Sequence, residues 1–370
     1  MAQRKENIVQ LTSAHPALDN RIFFKECVSL ARSGYDVTLI APHTKNEVVQ
    51  GVRIIKLPVF KNRLVRWLTN PLLVFFKAIR QRARLYHFHD PELIPVGLAL
   101  RLFGKVVVYD IHEDYVSSIQ QKEYLPKSIA RMTAPIFGCL EQLAANSFQQ
   151  IIAEKYYSRR FPHSIEVLNY PKIDKLPPPA TSHEGDSPRF IYTGNVTVNR
   201  GALIHANIVN LLPTAEVHFV GHCTHGLVAR MQAIAGQNRS RLFFHGVDRY
   251  LPFSEIESFY QAGAWTAGLA IFPDVAHYRE KELTKFFEYM AYGLPIIASN
   301  FLVWRRLIEG HSSGICIDPA DTKAIVAALH QVSLPQQAST MGKCGREAVG
   351  NYLWQGQEEK LLGFYRSLLH

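Results

Sequence analysis

Apolar positions along this chain fall into two alternating rhythms. NIVQLTSA (7–14), DVTLIAP (36–42), LYHFHD (85–90) and KVVVYDIH (105–112) are short apolar runs, too brief for helices, and predict strands of a parallel sheet covered on both faces. Between them, RIFFKECVSLARSG (21–34) sets Ile22, Phe23, Cys27, Leu30 and Ala31 at helical spacing, with Gly34 placed to end the helix. LIPVGLALRLFG (93–104) repeats that pattern and also ends on glycine.

The rhythm breaks at NYPKIDKLPPPATSHEGDSP (169–188), which holds five prolines and few apolar residues and reads as a linker. It restarts with strands at 189–194, 215–221, 241–246, 265–272 and 314–318, and with helices near 201–211, 253–262 and 320–331. Inside this half, TKFFEYMAYG forms an apolar helix closed by Gly293, and a short strand follows it. A chain of 370 residues is too long for one core. The expected fold is α/β, with two Rossmann-like, doubly wound domains at 1–170 and 189–351 joined by the linker 171–188.

In such sheets ligands bind at the carboxyl ends of strands. The residues to weigh there are His15 and Asp19, His89 and Asp90, His112 and Glu113, Asn195 to Gly201, His222, His245, and Glu280 to Glu288. Facing ends of two such domains would form one cleft.

Charge is uneven. Residues 1–172 carry 24 Lys and Arg against 14 Asp and Glu, whereas the remainder balances at 17 of each. No acid occurs between Glu47 and Asp90, a stretch with nine bases, so the first half calls for an anionic partner. KNRLVRWLTNPLLVFFKAIRQRAR (61–84) combines Trp67, an apolar middle and flanking arginines, and reads either as a face for anionic lipid or as a domain helix with a solvated basic side. Five scattered cysteines without C-x-x-C spacing, no membrane-spanning run and no apolar leader point to a reducing cytoplasm.

The chemistry lies at helix starts and strand ends. In TGNVTVNRG (193–201) a strand ends at Gly194, and Arg200-Gly201 opens a helix whose free N–H groups suit phosphate. At 280–291, the helix start at Leu283 and Thr284 offers the same, and Lys285 adds charge. Glu288, on the side opposite much of the core, can accept hydrogen bonds from a ribose diol, and Glu280 or Glu282 from another hydroxyl. Ordinary helix-start acids and a solvated charge cluster would look alike. His112 follows a buried strand and can donate a hydrogen bond or carry a proton. D-x-H has no third metal ligand at convincing spacing, so no metal is expected. Walker, G-x-S-x-G and G-x-G-x-x-G motifs are absent.

HPALDNRIFFKECVSLARSGYDVTLIA, HFHDPELIP, VYDIHE, YTGNVTVNRG and the Glu280/Glu288 spacing together resemble the family-4 retaining glycosyltransferases of the two-Rossmann-domain GT-B class, as found in bacterial surface-polysaccharide assembly. The resemblance implies two domains facing across a cleft, with 352–370 crossing back to the first. It implies a UDP- or GDP-linked sugar as donor and a polyprenyl-diphosphate-linked or saccharide acceptor, with no metal, cofactor or nucleic acid. Carried over, Glu288 holds the donor ribose and Glu280 faces the transferred sugar. Leu283 and Thr284 N–H groups and Arg200 contact the diphosphate, His112 lies near donor sugar and acceptor, and Asp19 and Arg21 border acceptor and phosphates. Asn195 stands where many relatives have arginine, so that one phosphate-neutralising charge is either missing or supplied by Lys285. A sugar-nucleotide epimerase of the same fold, or a non-catalytic binder of anionic ligands, would share much of this pattern. The expected location is the cytoplasm, peripherally on the inner face of the membrane.

Overall fold

The computed structural model describes residues 5–60, 62–120, 127–173, 175–178, 187–263 and 265–369. Residues 174 and 179–186 of the expected linker, and Lys61 at the head of the expected basic face, lie outside them. The chain divides into two compact units, residues 1–172 with 354–370 and residues 173–353.

In the first unit the strands are β1 (Asn7–Leu11), β2 (Asp36–Pro42), β3 (Glu47–Val49), β4 (Val52–Leu57), β5 (Leu85–Phe88), β6 (Val106–Ile111), β7 (Gln149–Ile152) and β8 (Ile165–Glu166). They form one sheet in the order β3-β4-β2-β1-β5-β6-β7-β8, parallel except for the β3–β4 hairpin. The helices are α1 (Val28–Arg32), α2 (Arg63–Ile79), α3 (Ile94–Leu102), α4 (Tyr115–Gln120) and α5 (Lys127–Ala145). Val74 and Ala78 of α2, Val96 and Leu100 of α3 and Ala145 of α5 pack on one sheet face beside Val9, Phe88 and Tyr109.

The helix expected at 21–34 opens instead as a π-helix, Asn20–Cys27, and tightens into α1 only afterwards. Asp19 starts it by accepting from the backbone N–H groups of Arg21 and Ile22. A π turn closes between residues five apart, and Arg21 and Glu26 accordingly meet, Nε to Oε1, at 3.1 Å. An α-helical turn would separate them.

The second unit contains β9 (Arg189–Thr193), β10 (Glu216–Cys223), β11 (Leu242–Val247), β12 (Ala267–Ala270), β13 (Ile296–Ser299) and β14 (Gly314–Ile317). Their order is β11-β10-β9-β12-β13-β14, all parallel, so the winding reverses between β9 and β12. Helices α6 (Ala202–Leu211), α7 (His225–Ala235), α8 (Phe253–Ala262), α9 (Thr284–Ala291), α10 (Leu302–Ile308), α11 (Thr322–Val332) and α12 (Pro335–Ala348) accompany it. Gly201, at φ 78°, opens α6 against Ile271, where a Cβ would lie 1.9 Å from the carbonyl oxygen.

The last helix, α13 (Trp354–Leu369), belongs to the first unit and covers the second face of its sheet. Trp354 is fully buried, its indole N–H donating to Ser29 Oγ at 3.0 Å, and Gln357 accepts from the Leu168 backbone. Among the described residues no helix is long and apolar enough to cross a membrane. Trp354→Ala should cost about 3–5 kcal/mol of stability in the first unit, as truncating a buried aromatic side chain does, and urea denaturation followed by circular dichroism measures it.

Candidate active site

Lys285 is the residue around which the second unit's site is built. The crevice where the strand order reverses is the expected ligand position in such a sheet, and α9 begins beside it. Gly268 of β12 has no side chain, so the Tyr289 ring lies directly on the strand; a Cβ there would come within 2.4 Å of it. With Tyr289, Phe286 and Phe287 buried, the first turn of α9 is turned toward the ends of β9 and β12. The Lys285 ammonium sits 3.5 Å from the Tyr192 ring centroid and 5.5 Å from that of Phe272, a cation–π setting. It is buried, and among the described residues its Nζ has no hydrogen-bond partner. Burial, then the neighbouring Arg200 charge, push its pKa well below the ordinary lysine value, with Glu288 opposing.

Arg200 ends the short turn before α6, its Nε 3.3 Å from the Tyr278 hydroxyl. Two cations therefore stand together at the start of α9, where Leu283 is the N-cap and no side chain caps the helix. Free backbone N–H groups, a helix dipole and two positive side chains are the elements from which an anion site can be built. Asn195 is exposed and Gly194 adopts φ 87°, keeping this rim open.

Glu288 departs from expectation. Rather than facing away from the core, it is buried along with every residue of α9 from Lys285 onward, because α8 covers that side. The Tyr260 hydroxyl of α8 lies 2.8 Å from both Glu288 Oε2 and Thr193 Oγ1, which fixes the carboxylate's direction. Glu280 and Glu282 both lie, partly exposed, in the turn before α9. His245 belongs to the body of β11 rather than to a strand end: its Nε2 is 3.2 Å from His218 Nδ1 and its ring packs on Phe259, so it is not at the anion site.

Three acceptor-side expectations are corrected in the first unit. Arg21 is buried, its Nε and one terminal nitrogen clasping Asp110 at 2.9 and 2.8 Å and the other donating to the Val167 carbonyl. Every arm of the guanidinium is engaged within the protein, so it does not face a phosphate. His89 is buried between Asp110 (3.0 Å) and Gln10 (2.6 Å). Asp90 is buried too, and accepts from the Thr12 hydroxyl and the Ser13 N–H. All three side chains hold the strand ends together. Asp19 is the helix cap, and Glu113 is exposed beside His112.

His112 remains at the rim. Its Nδ1 is 3.4 Å from Asp110 Oδ2 and its Nε2 is 3.1 Å from His15 Nε2, with His15 the more exposed of the two. Burial disfavours its charge, but hydrogen bonding to Asp110 and the charge of that carboxylate outweigh this and raise its pKa to about 9. Asp110 itself, despite burial, is held ionised by Arg21 and the two histidines, well below the usual carboxylate range. His87 and His89 are driven down by burial. Polar residues at alternate positions of strands buried on both faces (Gln10, His87 with His89, Asp110 with His112) were the signal for this network.

Glu26, His87, His89 and Asp110 bring ligand-type atoms within 4.8 Å of one another. Arg21 already lies against both carboxylates, so a guanidinium supplies the positive charge that an ion would bring.

Residues 23–161 match the family model described as Glycosyltransferase Family 4. The match lies within the first unit and does not extend into the second. The whole chain has the GT-B fold of two Rossmann-like domains. It is similar to sucrose-phosphate synthase from Thermosynechococcus elongatus (TM-score 0.78, 17% identity, 99% of each chain covered). It is similar also to Anabaena HepE in complex with UDP-glucose (TM-score 0.69, 12% identity, 98% of this chain and 99% of that one). A third likeness is to WaaG, a glycosyltransferase involved in lipopolysaccharide biosynthesis (TM-score 0.68, 13% identity, 95% and 98%). No curated protein matches the sequence significantly. The Family 4 match includes the π-helix from Phe23 onward, β5 and β6, and so takes in most of the buried His–Asp network.

The sign of the His112 shift makes a measurable statement. A folded pKa near 9 against an ordinary value near 6.5 means stabilisation of up to about 3 kcal/mol, fully present below pH 6.5 and lost as pH rises through 9. The groups facing it are Asp110, His89, His15, Arg21 and Glu113. NMR titration should find the His112 imidazole still protonated at pH 8, and Asp110→Asn should return its titration to pH 6.5 or below. A wild-type midpoint below 7 would contradict the pairing.

Proposed function

We propose that the protein is a retaining, metal-independent hexosyltransferase. It takes a sugar from a UDP- or GDP-linked donor and passes it to a polyprenyl-diphosphate-linked or saccharide acceptor in cell-surface polysaccharide synthesis. The observation that carries this reading is the Lys285 ammonium, buried without a hydrogen bond next to Arg200 at an uncapped helix start. An arriving anion relieves that arrangement, and a diphosphate has the charge and the acceptor oxygens for it. Glu288, aimed by Tyr260, offers its carboxylate to the ribose diol. HepE was solved with UDP-glucose, which favours a sugar nucleotide as ligand, and the lipopolysaccharide role of WaaG favours the polysaccharide setting.

In the reaction the bond between the sugar's anomeric carbon and the diphosphate oxygen breaks, and the acceptor oxygen bonds to that carbon on the same face. The acceptor's proton passes to the departing diphosphate. Arg200, Lys285 and the α9 N–H groups take up the charge that develops on the leaving group, an electrostatic role that here requires no divalent ion. Glu280, with Glu282 as its competitor, holds hydroxyls of the transferred sugar. His112, charged at neutral pH, is a hydrogen-bond donor to the acceptor or the sugar rather than an obligatory base. We place the reaction at the cytoplasmic surface of the membrane, reached through the basic segment 61–84.

UDP, GDP and dTDP should be compared by thermal shift. At a hundredfold excess over Kd the preferred nucleotide adds about 2.7 kcal/mol, a rise of about 5–10 °C for a unit of this size. Lys285→Met and Glu288→Ala should abolish the rise, and no response to any of the three nucleotides would overturn the donor assignment.

Lys285 gives a second readout. Burial and the Arg200 charge depress its free-state pKa, and a bound diphosphate raises it, so nucleotide binding should be accompanied by net proton uptake at the pH where the free amine titrates. Titration calorimetry in buffers of different ionisation enthalpy reads this directly, and Lys285→Met should remove the buffer dependence.

A further inference from the structure

Helices α2, α3 and α5 form one layer over the first unit's sheet, with α3 packed against both of the others. The outward side of such a layer is polar in a protein surrounded only by water. Here it is apolar. On α5, Met132, Ile136, Leu140 and Leu143 recur at four-, four- and three-residue steps and are 56–63% exposed. On α3, Leu102 is 89% exposed, and Phe103, which follows the helix, is exposed as well with its ring 6.2 Å from Phe75 of α2. Trp67, Leu68, Leu72 and Phe76 continue the surface along α2. Scattered apolar residues on a surface are normal, whereas stripes on three adjacent helices mark an interaction face.

The charges select the partner. The three helices contain a single acid, Glu141. It is turned inward, accepting from the Tyr109 hydroxyl at 2.7 Å and pairing with Arg160 at 2.9 Å. Arg101 and Arg131 are exposed on α3 and α5, and Arg80 and Arg84 are exposed just beyond α2. Such a face, brought against a second copy of itself, would set like charges together. Against an anionic bilayer, the apolar side chains enter the interfacial layer and the bases meet phosphate headgroups.

We propose that the outward face of α2, α3 and α5 is a docking platform for an anionic membrane surface. This deepens the membrane part of the proposed function and extends it from segment 61–84 to two helices that lie outside that segment. It needs no part of the donor site.

The full chain should float with vesicles of phosphatidylcholine and phosphatidylglycerol, not with phosphatidylcholine alone, and salt should weaken the binding. Met132→Glu with Leu140→Glu should lower vesicle affinity at least tenfold while leaving the melting temperature and the nucleotide response as in wild type, because both residues are already in water. Arg80→Ala and Arg84→Ala should each weaken binding about five-fold. Failure to float, or an α5 variant that floats like wild type, overturns the proposal. A concentration-dependent dimer that the α5 variant dissolves, without vesicle binding, would assign the face to a second copy instead. Flotation by a protein that responds to no nucleotide would leave the platform standing and remove the donor reading.

Discussion

A carboxylate in the middle of a buried parallel sheet stays ionised only if a cation is brought to it, and in the first unit Arg21 is that cation. Its two-nitrogen grip on Asp110 requires the guanidinium to enter the sheet from the first helix. That in turn requires the π winding, which also sets Glu26 beside Arg21, and the Asp19 cap that starts the turn. Asp110 then orients His89 on one side and His112 on the other. At the far end Tyr365 of α13 reaches His87 at 2.6 Å and Gln10 at 3.1 Å, so the last helix closes a network begun by the first. Breaking a buried pair of this kind leaves an uncompensated charge, and its removal is more costly than its presence is stabilising. The network accordingly explains why helix, strands and C-terminal helix keep one arrangement better than it explains their total stability.

Apolar runs marked the strands because a sheet covered on both faces leaves little room for polar residues, and the same logic placed the Gly194, Arg200 and α9 positions at the ends of strands. The π-helix left no such trace, since Ile22, Phe23 and Cys27 fit α-helical spacing well enough and the wider turn follows from Arg21 and Glu26 meeting in three dimensions. Helix α5 escaped notice for the opposite reason. With apolar residues inward against the sheet and Met132, Ile136 and Leu140 outward, it lacks the one-sided pattern that identifies a surface helix.

Among the site residues, those misread were mostly charged or polar groups whose burial only the fold reveals. His89 and Asp90 look like loop residues at a strand end, yet the chain turns them inward onto Gln10, Asp110 and Thr12. Glu288 was expected on an open helix side because Phe286, Phe287 and Met290 accounted for a buried one. Tyr260, some 28 residues away in sequence, closes the other side and cannot be seen from local spacing. Lys285 was legible as a base at a helix start, but its lack of a hydrogen-bond partner was not.

The two units therefore answer the problem of buried charge in opposite ways, and in the proposed function the difference separates scaffold from binding site. In the first, Arg21 is saturated by Asp110, Glu26 and a carbonyl, and charge reaches the rim only as the protonated ring of His112. In the second, Lys285 and Arg200 repel one another, Glu288 offsets only part of that repulsion, and no side chain caps the helix between them. A folded protein bears such strain where a ligand is to relieve it, because interactions left unsatisfied in the free state are those that strengthen on binding. The Tyr260 hydroxyl holds Glu288, whose charge opposes the depression of the Lys285 pKa without cancelling it. In the proposed function, the anion that completes this arrangement is the donor's diphosphate.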